Sequence, residues 1–215
     1  MKLIKSAISG VNYYSGDKSG TNIDSDGITV TQSSQSNLCL IQSDTPISRK
    51  GKYVFEINII TCTPCPEYAK GFSFALMNNK ENPHFITIEE LQTQIKFCYN
   101  FDYTTFKLLQ LVPLTFSMQD GDIIGFGWDL GNKKVEIFIN GKSAFSQDVT
   151  SIFSMIDFNS TTQWPNIYPG IYFWPGYISS MKCKLNFGQR PHVYNYDGYI
   201  DPYYETIPDY SLKQY

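Results

Sequence analysis

The chain has 215 residues and a formal charge of -3, with 42% hydrophobic, 16% aromatic and only 17% charged residues. That balance excludes a disordered chain, which would combine low hydrophobicity with high charge. It also argues against a general nucleic-acid binder: phosphate binding starts from a concentrated basic patch, and the densest basic group is only Arg49, Lys50 and Lys52. All-β sandwiches commonly occupy roughly 200 to 250 residues as one unit, so the length favours a single domain.

Residues 1–20 are rich in Ser, Gly and Lys and read as a leader, either free or packed on the domain through Val11, Tyr13 and Tyr14. Ser6, Ser9, Gly10 and Asn12 interrupt their apolar residues, so the continuous apolar segment of a signal peptide is missing. Nothing elsewhere approaches the ~20 apolar residues of a membrane span. The expectation is a soluble intracellular protein, cytoplasmic or cytoskeleton-associated, without membrane insertion. The five cysteines, an odd number without a secretory signal, read as thiols and not as a disulfide frame.

The β-rich runs 28–31 and 38–41 are separated by a polar link and predict a first hairpin. Tyr53, Phe55, Ile57 and Ile59 then alternate with smaller or polar residues over 53–60, and 72–76 and 95–101 repeat the pattern. Between those two strands, Thr87 and Glu90 have capping-box spacing and predict a short helix at 87–91. Residues 106–111 and 114–116 predict strands or strand ends, with Pro113 interrupting the ladder.

The most legible stretch is Asp120 to Lys142, D-G-D-I-I-G-F-G-W-D-L-G-N-K-K-V-E-I-F-I-N-G-K. Ile124, Phe126, Trp128 and Leu130 share one face of a strand. Gly125 and Gly127 lie on the other, where a second layer can approach closely. A turn at 131–134 leads to a second strand with Val135, Ile137 and Ile139 on one face, and Asn140-Gly141 is suited to a tight hairpin turn. A second helical turn is predicted to begin near Asp148 or Thr150 and to include Ile152, Phe153 and Ile156. Strands follow at 171–174 and 181–187, the latter with Met181, Cys183, Leu185 and Phe187 inward. The last 24 residues hold seven tyrosines and are expected to lie against the sandwich or a partner.

The run G-D-I-I-G-F-G-W-D-L followed by V-E-I-F-I-N-G-K resembles the central signature of SPRY domains. Three further segments fall in the order of that family: Pro46-Ile47 with Gly51 to Ile57, Tyr168-Pro169-Gly170-Ile171, and Leu185-Asn186-Phe187-Gly188-Gln189-Arg190-Pro191. The resemblance covers roughly residues 22–199 and departs from the family's usual form at 62–70 and 78–94. It implies an all-β fold, a bent antiparallel β-sandwich with one or two short helical turns, that binds other proteins through its loops. The domain is expected over residues 21–200, with a Tyr/Pro-rich extension at 201–215.

Residues for other chemistry are sparse. A sandwich-fold glycoside hydrolase needs two carboxylates facing one bond. Glu56 has Val54 and Asn58 as its same-face neighbours, Glu89 and Glu90 would diverge, and Asp120-Gly121-Asp122 reads as a turn. Cys62 and Cys65 have the spacing of half a zinc site, but no second C-x-x-C completes it, so no metal and no cofactor is expected. The expected activity is therefore non-catalytic attachment to one or more proteins, as a small adaptor or structural subunit of a larger assembly. Loop residues outside the strand patterns are the candidate contacts: Pro46, Arg49, Tyr68, Asn100, Tyr103, Gln163, Trp164, Trp174 and Tyr177. A carbohydrate-binding sandwich is the alternative, because exposed tryptophans stack on sugar faces as readily as on peptides.

Overall fold

The computed structural model describes residues 3–5, 21–33, 39–64, 72–78, 85–90, 94–102, 105–113, 115–173 and 178–202. Two seven-stranded antiparallel sheets enclose one core. The first runs in the order β1 (Leu3–Lys5), β4 (Cys39–Ser43), β13 (Tyr168–Phe173), β6 (Phe72–Met77), β7 (Phe85–Glu90), β8 (Gln94–Asp102) and β9 (Thr105–Pro113). The second runs β12 (Lys142–Asp148), β11 (Lys134–Ile139), β10 (Ile123–Asp129), β5 (Lys52–Pro64), β14 (Ile178–Asn186), β3 (Thr29–Ser33) and β2 (Thr21–Ile23). The chain is an antiparallel β-sandwich.

The alternating residues fill the space between the sheets as their spacing requires. Tyr53, Phe55, Ile57 and Ile59 of β5, Ile124, Phe126 and Trp128 of β10, and Met181, Cys183 and Leu185 of β14 all enter the core cluster. Phe74 from the opposite sheet stacks on Phe126, with ring centroids 4.1 Å apart. Asn140 and Gly141 take φ of 50° and 78°, the left-handed pair that turns β11 into β12 with the twist of the flanking strands. The short helix α1 (Thr150–Met155) buries Ile152 and Phe153, as their spacing predicts.

Four local expectations change. The 28–31 and 38–41 runs do not form a hairpin: β3 pairs with β14 and β2, whereas β4 pairs with β13 and β1. Opposite sheets let Val30 and Ile41 enter the common core from its two sides. Residues 85–90 form strand β7 where a helix at 87–91 was expected, with full ladders to β6 and β8. Two ladders and the β-branched Ile86-Thr87-Ile88 outweigh one capping box. Strand β9 extends to Pro113, with two register shifts against β8 on the way, and Pro113 takes the final ladder position opposite Gln94, where a missing N–H costs least. Strand β5 continues through Cys62 to Pro64.

Candidate functional site

Strand β5 begins where β10 ends, since Lys52 lies opposite Asp129, and β14 ends beside Glu56. The connection 44–51, the segment 149–167 and the turn 187–191 therefore gather at one end of the sandwich. Its frame is built from inside. Phe153 stacks on Phe158 at 4.1 Å, Phe158 meets Trp164 at 5.1 Å, and the Trp164 indole N–H donates to the Ile156 carbonyl at 3.4 Å.

The connection 44–51 is tied to that frame. The Ile47 N–H donates to the Ile167 carbonyl at 2.8 Å. Arg49 donates from Nη1 to the Phe158 carbonyl at 2.7 Å and from Nη2 to the Ser160 carbonyl at 3.4 Å, and its guanidinium lies 5.9 Å from the Phe158 ring centre. Burial alone moves the Arg49 pKa below its ordinary value. Asn78 donates to the Gln163 carbonyl at 2.8 Å, fixing the same segment from the other sheet. The exposed residues of the end include the uncharged Pro46, Thr161, Thr162, Pro165 and Asn166 together with the charged Lys50 and Asp157.

The sequence-predicted contacts separate accordingly. Arg49, Gln163 and Trp164 come together through Phe158 and Ser160, and Pro46 is exposed on the Arg49 loop. Trp164 is a correction: it is fully buried, because its ring closes the core beneath the loops. Asn100 is a further one, standing inside β8 opposite Phe85 and Phe106 and not in a loop. Tyr68, Tyr103, Trp174 and Tyr177 fall outside the described residues. The strands flanking 65–71 and 174–177 end at the far side of the sandwich, where Phe72 pairs with Phe173 and Pro64 with Ile178.

A second polar region lies on the outer face of the β5–β10–β11 sheet. Residues 192–202 cross it as a strap. The Val193 N–H donates to both Glu56 oxygens at 2.9 and 3.0 Å, and the Tyr196 hydroxyl donates to Glu56 Oε1 at 3.0 Å. The Tyr199 hydroxyl donates to Glu136 at 2.6 Å, while Lys52 Nζ sits 4.2 Å over the Tyr199 ring. His192 Nε2 donates to the Val54 carbonyl at 2.9 Å, and the Ile200 N–H to the Lys52 carbonyl at 2.7 Å. Burial first, and then the carboxylates they face, push the Tyr196 and Tyr199 hydroxyls well above the ordinary phenol pKa.

The glycine notches make this fit possible. A Cβ on Gly125 would lie 2.6 Å from the Tyr196 ring, and one on Gly127 would lie 3.0 Å from that of Tyr199. Tyr196 packs on Val54 and Phe138; burying such a ring contributes about 2 kcal/mol. Sequence reasoning gave both halves, a close approach at the spaced glycines and a tyrosine-rich segment expected to lie against the sandwich or a partner, but did not join them.

Chemically, the strap settles what Glu56 does. Its oxygens are occupied by donors from 186–196, so it anchors chain and does not face a cleft. Cys62 is buried and its N–H donates to Asp120 at 2.9 Å. Burial and then the neighbouring Cys62 push the Cys183 thiol far above its ordinary pKa. Among the described residues no three His, Cys, Asp or Glu side chains gather as a metal set, and no helix is long and apolar enough to cross a membrane.

No protein-family model and no curated protein matches the chain. Solved structures do. The SPRY domain of human HERC1 is 14% identical, covering 79% of this chain and 94% of that one at a TM-score of 0.43. The carbohydrate-binding module CBM66 from Bacillus subtilis is 10% identical, covering 77% and 87% at 0.44. A mixed-linkage glucan GH16 protein of Bacteroides ovatus is 12% identical, covering 86% and 92% at 0.46. These likenesses leave the choice of function to the chain's own residues.

Proposed function

We propose that this β-sandwich is a SPRY-like, non-catalytic protein-interaction module, a small adaptor or structural subunit of a larger cytoplasmic or cytoskeleton-associated assembly. It engages a protein partner through the end formed by 44–51 and 157–166, with no cofactor. The observation that carries this reading is the brace from Arg49 to the Phe158 and Ser160 carbonyls. A loop already held in one shape gives up little conformational entropy on binding, which favours recognition by uncharged loop residues such as Pro46 and Thr162. The satisfied Glu56 carboxylate supports a non-catalytic role. Carbohydrate binding stands second, and burial of Trp164 removes one ring from which it would stack.

The test is the mass and composition of the complex carried by the tagged full chain from its native cells under mild salt. A stoichiometric partner that is lost with Pro46→Asp or Thr162→Arg, and kept with Ser143→Arg on β12, supports the reading. A monomer that instead titrates with a glycan array overturns it in favour of sugar binding.

A further inference from the structure

The chain contains two arginines, and they are treated in opposite ways. Arg49 is spent on two carbonyls. Arg190 is half-buried, its Nε is sealed from solvent, and that Nε has no acceptor among the described residues. Its neighbour Gln189 repeats the pattern: Oε1 accepts the Phe187 N–H at 2.6 Å, which fixes the amide, while the buried Nε2 has no acceptor among the described residues.

A buried donor without an acceptor loses its hydration and gains nothing in return. The two sealed atoms cannot themselves be reached from outside, but the exterior part of the Arg190 side chain also has no acceptor among the described residues and is open to one from another molecule. The turn is not loose. Fully buried Asn186 accepts the Gly188 N–H at 3.2 Å and the Arg190 N–H at 3.4 Å through Oδ1, and its Nδ2 donates to the Pro191 carbonyl at 3.3 Å. Gln42 also has an unpartnered amide, but it is completely enclosed and offers no approach, whereas Arg190 keeps part of its side chain at the exterior.

We propose that the Gln189-Arg190 turn is a carboxylate-recognition site, and that the partner inserts an acidic side chain or chain-terminal carboxylate against the Arg190 guanidinium. This names the partner chemistry and rests on the protein-binding reading above. A guanidinium matches a carboxylate with two parallel N–H···O bonds, which a lysine ammonium cannot reproduce. The turn follows the end of β14 that runs toward the braced 44–51 connection, four ladder positions short of the start of β5.

The experiment follows the arginine Nε–Hε signals of the 15N-labelled full chain by NMR while a short peptide carrying two glutamates is added, with its glutamine counterpart as control. The expected result is a saturable shift of the Arg190 signal with the glutamate peptide alone. The Arg49 signal should stay in place, and binding should weaken roughly tenfold or more in Arg190→Lys. An unchanged Arg190 signal, or an equal shift with the glutamine peptide, overturns the site. Arg190→Met supplies an independent readout: a side chain kept for a ligand leaves the melting temperature unchanged or raised, whereas a fall of several degrees means that Arg190 serves the fold and sinks the proposal. Failure here with a partner still captured through Pro46 and Thr162 removes the carboxylate site alone. A glutamate-dependent shift in a chain that carries no partner from cells removes the assembly reading alone.

Discussion

The strap-covered face and the 187–191 turn lie a few residues apart in the chain and satisfy their polar groups in contrary ways. On the face, Glu56 and Glu136 are each met by a tyrosine hydroxyl, and Glu56 also takes backbone N–H groups from the strap. At the turn, Gln189 and Arg190 keep buried donors with no acceptor among the described residues. The first arrangement serves the fold. The second costs stability. The two regions thus separate polar groups that hold the sandwich together from polar groups that do not.

Substitutions can break this contrast in order of size. Trp164→Ala removes the ring packed on Phe158 and should cost about 3 to 5 kcal/mol in urea unfolding. A cost near zero would return Trp164 to the binding surface. Glu56→Gln should cost about 3 kcal/mol, because it replaces a charged acceptor that gathers Val193, Tyr196 and Asn186. Amide exchange should then quicken across 192–201 before it does so in β10. Gly125→Ala drives a methyl into the Tyr196 ring and should cost about 1 to 3 kcal/mol. Tyr196→Ala in the same chain should relieve part of that, a coupling readable in a double-mutant cycle.

The smallest effect comes from the loop between β2 and β3. The Thr29 hydroxyl, and then the Thr29 and Ile28 N–H groups, hold the Asp26 carboxyl down at about 2. A folded pKa below the unfolded value of about 3.9 means stability that is complete above that value and lost as pH falls through about 2. Because Asp26 lies at the surface, the contribution should stay below about 1 kcal/mol. The urea midpoint of the parent chain should fall between pH 4 and 2 by more than that of Asp26→Asn, and equal slopes would remove the effect.

Strand identity was written in the residues themselves. Period-two runs such as Tyr53-Phe55-Ile57-Ile59 and Met181-Cys183-Leu185-Phe187 can bury one side only as strands, and their inward faces enter the core as read. Asn140-Gly141 specifies its turn through the left-handed backbone that both residues tolerate. Gly125 and Gly127 announced a close approach on the outer side of β10.

Which segment made that approach was not legible, because a notch does not encode the identity of what fills it. The same limit explains the false hairpin: the runs that became β3 and β4 have equal claims to any strand neighbour until the core decides which sheet each joins. It explains Trp164 as well, since local spacing cannot distinguish an aromatic that faces solvent from one that closes a core assembled from 128, 153 and 158. Above all, the difference between Arg49 and Arg190 is invisible in sequence. Both are arginines in polar loops, and only the tertiary structure, by bringing two carbonyls to one and no acceptor among the described residues to the other, tells them apart.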